Sequence, residues 1–355
     1  MLDYNKIFSL EPFALNKKQK KNWFFFKQKK LSNYHYMKCE KYKKVINKIF
    51  KKINYTKKIE ELPFIHSSLF KKFNFKSTNL QNISKTYSSS GTTGSNKSII
   101  NLDKKTSFLQ SRALSIILMD TLKEKDLDIF FVDSPSVTHG AESLTARGAA
   151  IRGLSQLMKR KVFLLDKNYR LKINKLENYI KKKPNKKFII FGFTSYIWEF
   201  LINELKKKKI KLQKNNGILI HGGGWKKLEK RSITRKYFNN SILKNLRVNS
   251  IHNYYGMIEQ AGSIFMECKE GNFHSSIFSD VIVRDENMKI CKNKKSGLIQ
   301  VLSLLPVSYP GHNILTEDIG TILGEDDCQC GRKGKYFLIH GRAPGTEIRG
   351  CSDVT

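Results

Sequence analysis

The chain predicts an α/β fold, with helices packed on a mostly parallel sheet and a smaller β-rich subdomain. Three observations predict it. Four compact apolar runs end at polar or glycine residues and read as buried strands: "LDIFFVD" (127–133), "KVFLLD" (161–166), "KKFIIFGF" (186–193) and "NGILIHGGG" (216–224). Helical candidates at 106–122, 140–159 and 195–208 alternate with them, and such alternation covers a parallel sheet with helices. After about residue 262 the pattern turns to short strands between turns, in "SIFSDVIVRD", "SGLIQVLSLL" and "EDIGTILG".

Taken in order, residues 1 to 80 are lysine-rich and mostly helical in pattern, and carry no chemical motif. The helix at 106–122 follows a loop. The one at 140–159 is rich in small residues, and its Gly148 and Gly153 read either as close helix packing or as the wall of an apolar tunnel. The helix at 195–208 starts at an N-cap serine and aligns Trp198, Leu201, Ile202 and Leu205 as one apolar stripe. In sheets of this kind ligands gather at the carboxyl ends of the strands, where the glycine clusters fall.

A length of 355 residues allows about two domains, and 40% hydrophobic with 11% aromatic residues argues against disorder. The longest apolar runs fall far short of the ~20 residues of a membrane helix. The opening "MLDYNKIFSLEPFALNKKQKK" has an early acid and no sustained apolar core, so it does not read as a signal peptide and a cytoplasmic location is expected. The formal charge of +36 has two readings. One is a nucleic-acid or anionic-membrane surface. The other, which the scatter of basic runs over the whole chain favours, is the lysine bias of an AT-rich genome. Six cysteines without an export signal are expected to be reduced, metal-bound or reactive.

The stretch "SSSGTTGSNKS" (88–98) is a phosphate loop of one of two designs. A nucleotide-triphosphatase loop wants Gly, four residues, then Gly-Lys-Ser/Thr. Gly91 to Ser98 has that length, and Asp133 could serve Mg2+, but Asn96 stands where the second glycine belongs. The other design places serine and threonine hydroxyls ahead of the lysine, as here. Further motifs decide between them: "HGGGW" (221–225), "YYGMIEQ" (254–260), "TEDIG" (316–320) and "GRAPGTEIRG" (341–350) follow in that order.

That order resembles the adenylate-forming superfamily. Within it, "HGGGWKKL" and "YGMIEQAGSIFMEC" resemble the acyl-protein synthetase family of the bacterial luminescence system. The resemblance covers residue 80 to the end. It implies ATP-dependent activation of a fatty or other carboxylic acid as acyl-AMP, then transfer of the acyl group to an enzyme cysteine. By this resemblance Ser90, Gly91, Thr92, Thr93, Gly94 and Lys97 cradle phosphates, and Gly222, Gly223 and Gly224 lie against adenine. Tyr255, followed by Gly256, stacks on the base, Glu259 holds Mg2+, Asp318 and Arg342 fix the ribose, and His139 sits near the reacting carboxylate. The implied division is a basic helical region (1–80), an ATP-binding core (81–262), a β-rich subdomain (263–340) and a tail (341–355) with Cys351. An acceptor such as a reductase or acyltransferase is the implied partner.

The sequence departs from the superfamily in three ways. Ile258 replaces the threonine expected before the Mg2+ glutamate, and Asn96 replaces the proline before the loop lysine. The superfamily's C-terminal domain with its catalytic lysine is also expected to be missing. Cys351, in "RGCSDVT", is either a surface thiol or the acyl acceptor, since a thiolate readily attacks an acyl-adenylate. Cys268, His274, Cys328 and Cys330 supply the three thiols and one imidazole of a tetrahedral zinc site. They read equally as reduced cysteines on β turns. Two other functions stay open: a CoA ligase with free coenzyme A as acceptor, and a basic nucleic-acid or envelope-associated binding protein with a decayed ATP site.

Overall fold

The computed structural model describes residues 4–50, 57–89, 97–224 and 233–345. Their Cα positions group into two compact units, one drawn from 1–121 and 256–347, the other from 122–255.

In the first unit a short helix, Tyr4–Phe8, precedes the long helix Lys17–Lys38. Asn16 caps it, accepting from the Gln19 amide while Gln19 returns the bond, both at 3.0 Å. The helix buries Lys20, Phe24, Gln28, Leu31, Ser32 and His35. Spacings of three and four put these on one face, yet most of them are polar. Each polar one is hydrogen-bonded. Lys20 Nζ donates to the Ser276 and Ser279 carbonyls at 2.8 and 2.7 Å, and Gln28 Nε2 donates to the Ser303 carbonyl at 2.9 Å. Ser32 Oγ meets His312 Nε2 at 2.9 Å, and His35 Nδ1 meets Ser77 Oγ at 2.8 Å. Strand β1 (Ile65–His66) follows. Then β2 (Ile83–Ser88) and β3 (Ile99–Asp103) pair as an antiparallel hairpin, with Ser88 opposite Ile99. The helix Lys104–Leu122 starts directly after β3, its Thr106 amide bonded to Asp103 Oδ1 at 2.7 Å.

The second unit is built on five parallel strands: β4 (Asp128–Phe131), β5 (Lys161–Phe163), β6 (Phe188–Phe193), β7 (Gly217–Gly222) and β8 (Ser250–Tyr255). Their spatial order is β8-β7-β6-β4-β5. β6 and β7 are buried at every residue, as strands covered on both faces must be. Helices Asn174–Lys182 and Arg235–Leu246 pack Leu176, Ile180, Phe238 and Ile242 against Phe130, Phe188, Ile190 and Leu219. The expected helix at 195–208 runs Thr194–Lys207, but its centre, Ile197–Ile202, is a π-turn. Trp198, Leu201, Ile202 and Leu205 all join the core, as their stripe predicts. The expected helix at 140–159 is broken into a 3-10 turn, Gly140–Leu144, and a helix, Ala146–Ser155. A side chain on Gly148 would lie 2.4 Å from the Glu142 carbonyl oxygen, so this glycine permits close backbone packing.

The chain then returns to the first unit with β9 (Phe265–Glu267), β10 (Phe273–His274), β11 (Ser279–Arg284), β12 (Ser296–Ser303), β13 (Asn313–Glu325) and β14 (Lys335–Arg342). These form an antiparallel array in the order β11-β12-β13-β14-β10-β9. β1 lies parallel beside β13, Ile65 opposite Ile314. The architecture is therefore the expected α/β class: parallel β4–β8 with their helices, and a β-rich part made of β9–β14. Among the described residues, no helix is long and apolar enough to cross a membrane.

Candidate active site

The expected phosphate loop connects β2 to β3. Ser90, Gly91, Thr92, Thr93 and Gly94 lie outside the described residues. Both ends of the loop are fixed: the Ser89 amide bonds the Ser98 carbonyl at 3.0 Å, and the Ser98 amide bonds Ser89 Oγ at 2.9 Å. Lys97 is exposed two residues before β3. The triphosphatase design needs a helix opening at its lysine, and here a strand opens instead. Its candidate Mg2+ ligand is also committed elsewhere. Asp133 is buried and pairs with the buried Arg147 at 3.4 Å. Burial pushes the Asp133 carboxyl up to about 6, against the pull of that guanidinium, so the pair is ionised at neutral pH. Arg147 also bonds Glu142 at 2.7 Å, and Tyr196. The structure thus favours the hydroxyl-rich loop design.

In the first unit, Glu259 sits in the 3-10 turn Ile258–Gln260, 7% exposed. Burial raises its pKa, while a bond from the Ser98 side chain and the charges of Lys71 and Arg342 lower it. The turn is clamped from below. Gln260 Nε2 donates to the Gly311 and Val301 carbonyls at 2.8 and 3.1 Å, and Tyr309 Oη donates to the Glu259 carbonyl at 2.9 Å. Gln110 Nε2 in turn reaches Tyr309 Oη at 3.1 Å. Gly262 has φ +84°, and a Cβ there would meet the Gln110 carbonyl oxygen at 2.4 Å. The sequence pointed to Glu259 and, as the end of the phosphate loop, Ser98, but not to Lys71, Gln110 and Tyr309, which reach this turn only through the fold.

Asp318 and Arg342 face each other across β13 and β14, Arg342 Nε 3.6 Å from Asp318 Oδ1. Arg342 Nη1 bonds Glu317 Oε2 more closely, at 2.7 Å. The structure therefore brings the two expected ribose residues together and adds a neighbouring carboxylate. Gly256 follows β8 and is exposed.

In the second unit, Gly222 ends β7, and a Cβ on it would fall 2.4 Å from the Tyr254 ring. Gly223 has φ +80° and lies close to Phe193. Thr194 Oγ1 lies 3.1 Å from both the Gly222 and Gly223 carbonyl oxygens, and 2.9 Å from His221 Nδ1. Burial holds His221 down to about 3, so it is neutral. Gly224 is exposed, and Tyr255 is the last residue of β8, half-buried. The glycines thus have a local reason, room for Tyr254 and Phe193, besides the expected approach of a base. His139 is exposed after β4, its Nδ1 within 3.0 Å of Thr138 Oγ1. Cys351 lies outside the described residues.

Cys268, His274, Cys328 and Cys330 converge, their ligand atoms all within 4.8 Å of one another. Burial and the neighbouring thiols push Cys330 up to about 12.

Comparison with known proteins adds to this geometry. A family model described as "Acyl-protein synthetase, LuxE" matches residues 2–355. No curated protein matches. Among solved structures, an open conformation of 2-hydroxyisobutyryl-CoA ligase with 2-HIB-AMP and CoA is similar at TM-score 0.69 and 12% identity. The similarity covers 94% of this chain and 76% of that one. The same ligase with 2-HIB-AMP and CoA in its thioesterification state gives TM-score 0.67 at 12% identity, over 94% and 70% of the two chains. At such identity the likeness shows the fold, which is that of the N-terminal domain of adenylate-forming enzymes.

Proposed function

Because the chain belongs to the acyl-protein synthetase family, we propose that it activates a carboxylic acid with ATP as acyl-AMP and passes the acyl group to a thiol. The observation that carries this reading is the family match along residues 2–355. The geometry of the first unit supports it. In the first step an acid carboxylate oxygen attacks the α-phosphorus, a P–O bond forms, and the bond to pyrophosphate breaks. Catalysis of such a step rests on positioning and on stabilising phosphate charge. Lys97 and the loop of Ser90, Gly91, Thr92, Thr93 and Gly94 would hold the phosphates. Asp318 and Arg342, already paired, would present a carboxylate to the ribose hydroxyls, and Tyr255 would stack on adenine beside Gly222–Gly224. His139 would lie near the acid.

Glu259 fits a Mg2+ ligand by chemistry. It is a buried carboxylate with a hydroxyl beside it, and hard cations prefer oxygen donors. A bound Mg2+ would neutralise phosphate charge and restore the ionised form that burial disfavours. Tyr309 and Gln260 hold the turn so that the carboxylate keeps its place as nucleotide enters and leaves.

For the acceptor, free coenzyme A has the support of the solved ligase complexes, which hold both an acyl-AMP and CoA. A second reading takes the chain's own Cys351, supported by the family description. Either thiolate would attack the acyl carbonyl, form a thioester and expel AMP. The acid is proposed to be fatty, and under the second reading a reductase or acyltransferase would collect it.

The test is pyrophosphate release with ATP, Mg2+ and a panel of fatty and short acids, with and without coenzyme A. Intact mass of the protein is measured in parallel. Release that rises with coenzyme A and survives Cys351→Ser supports the free-thiol reading. One acyl mass on the protein, removed by hydroxylamine and absent in Cys351→Ser, supports the enzyme-cysteine reading. No release with any acid overturns the activation itself.

A further inference from the structure

The turn between β9 and β10 and the turn between β13 and β14 bring four soft ligands to one point. Cys268 follows β9, and His274 is the last residue of β10. Cys328 and Cys330 lie between β13 and β14. The first turn is closed by the Cys268 amide on the Asn272 carbonyl and the Gly271 amide on the Cys268 carbonyl, both at 2.9 Å. The second is closed by the Gly331 amide on the Cys328 carbonyl at 3.0 Å, with Gly331 at φ +85°, where a glycine is favoured.

Two of the spacings lie close to the edges of a coordination tetrahedron, and all four ligand atoms lie within 4.8 Å of one another. Cys268 Sγ and Cys328 Sγ are 4.0 Å apart, and Cys330 Sγ is 3.3 Å from His274 Nε2. With Zn–S about 2.3 Å and Zn–N about 2.0–2.1 Å, a tetrahedron's edges are about 3.8 Å between sulfurs and about 3.6 Å between sulfur and nitrogen. All the cysteines among the described residues are unbridged. His274 is fully buried, and its Nδ1 has no hydrogen-bond partner among the described residues. Outer contacts fit as well. Asn272 Nδ2 points at Cys328 Sγ at 3.7 Å, and the Arg332 backbone amide bonds the Cys330 sulfur. Amides on the sulfurs are what bound thiolates take up.

We propose that Cys268, His274, Cys328 and Cys330 bind one structural Zn2+. With four protein ligands the site is closed, leaving no position for substrate. Binding releases the thiol protons to solvent as three Zn–S bonds and one Zn–N bond form. Its role is mechanical. Phe13 meets the His274 ring edge-on at 6.1 Å, and the Arg332 guanidinium lies over Phe13 at 4.3 Å. Arg332 also bonds Asp120 at 3.1 Å, and the Lys333 amide bonds the Phe13 carbonyl at 3.1 Å. The ion would therefore join two β turns and fix the residues that anchor the N-terminal segment and the end of the Lys104–Leu122 helix.

The test is metal analysis of the full chain, expressed with zinc and desalted under reducing conditions. One zinc per chain is expected, falling to background in Cys268→Ser/Cys328→Ser and unchanged in Cys291→Ser, whose cysteine is buried outside the cluster. Co2+ substitution of the native protein gives a readout independent of whether the double variant folds. Thiolate-to-cobalt charge transfer and tetrahedral d–d bands are expected. Native protein with no zinc above background, or cobalt spectra without thiolate bands, overturns the proposal.

Discussion

The two units bury their interiors by different means. In the second, β6 and β7 are buried throughout and meet helices through Phe, Ile and Leu side chains. In the first, a lysine, a glutamine, a serine and a histidine on one helix are buried and each finds a partner. His35 and His312 stack at 4.8 Å, and Gln300 bonds Asn313 at 2.7 Å and Arg284. Apolar burial is non-directional and tolerates small shifts, whereas a buried hydrogen bond demands one geometry and is costly to leave unmade. The unit that holds Glu259, Asp318 and Arg342 is thus the one whose packing specifies position most strictly.

This contrast can be tested, beginning with the largest effect. Glu259→Gln is expected to lower pyrophosphate release about 100-fold or more, the scale of removing one preorganised electrostatic group, with the melting temperature little changed. An equal loss of stability would mean that Glu259 packs like its polar neighbours. Leu201→Ala, at a fully buried site of the apolar unit, should cost about 2–5 kcal/mol, read as faster hydrogen exchange in peptides from 176–205. Lys20→Met keeps the aliphatic stem and leaves the Ser276 and Ser279 carbonyls without their donor. A cost of about 1–3 kcal/mol is expected, seen in peptides from 17–35.

Acid should separate the units further. Burial lowers His35 to about 3 and holds His312 well below its ordinary value, the neighbouring histidine adding to the second shift. Both are neutral when folded but protonate near pH 6.5 when unfolded. Their contribution is therefore complete above pH 6.5 and falls as the pH drops toward 3, by up to about 1.4 kcal/mol per pH unit for each ring. Urea unfolding between pH 7 and 5 should show this slope, shallower in His312→Gln. A flat profile would remove the buried pair from the account. At the small end, Lys44→Ala breaks an exposed pair with Glu40 at 2.7 Å and should leave the urea midpoint unchanged, since solvent screens such pairs.

How much could be read beforehand follows the same divide. β4 to β7 were legible because continuous apolar runs leave little else for a short segment to do. The Lys17–Lys38 helix falls in the stretch 1–80 that was legible only as mostly helical, and its buried face was not legible, since a stripe of lysine, glutamine, serine and histidine carries no hydropathy signal. Glu259, Asp318 and Arg342 stood out as motifs, and the last two lie opposite each other on adjacent strands. Tyr309 and Gln110 were invisible because they act over sequence separations of 50 and 199 residues. The π-turn at Ile197–Ile202 keeps the same apolar stripe as a regular helix, so periodicity could not reveal it. The four zinc candidates were legible as one possible ligand set, but reduced cysteines on β turns were an equal reading, because nothing in the spacing shows that two turns 60 residues apart meet.

One feature of the first unit bears on synthesis. Tyr4 Oη bonds the Leu304 carbonyl across 300 residues, the Lys17 amide bonds Asp326 across 309, and β1 pairs with β13. A ribosome adding roughly 5–20 residues per second would keep the N-terminal helix without its permanent partners for about 15–60 s. The five parallel strands β4 to β8, all within residues 128–255, have no such wait. Nascent chains would then hold a finished interior before an unfinished one, with the basic N-terminal helix left to solvent or chaperones until the last strands emerge.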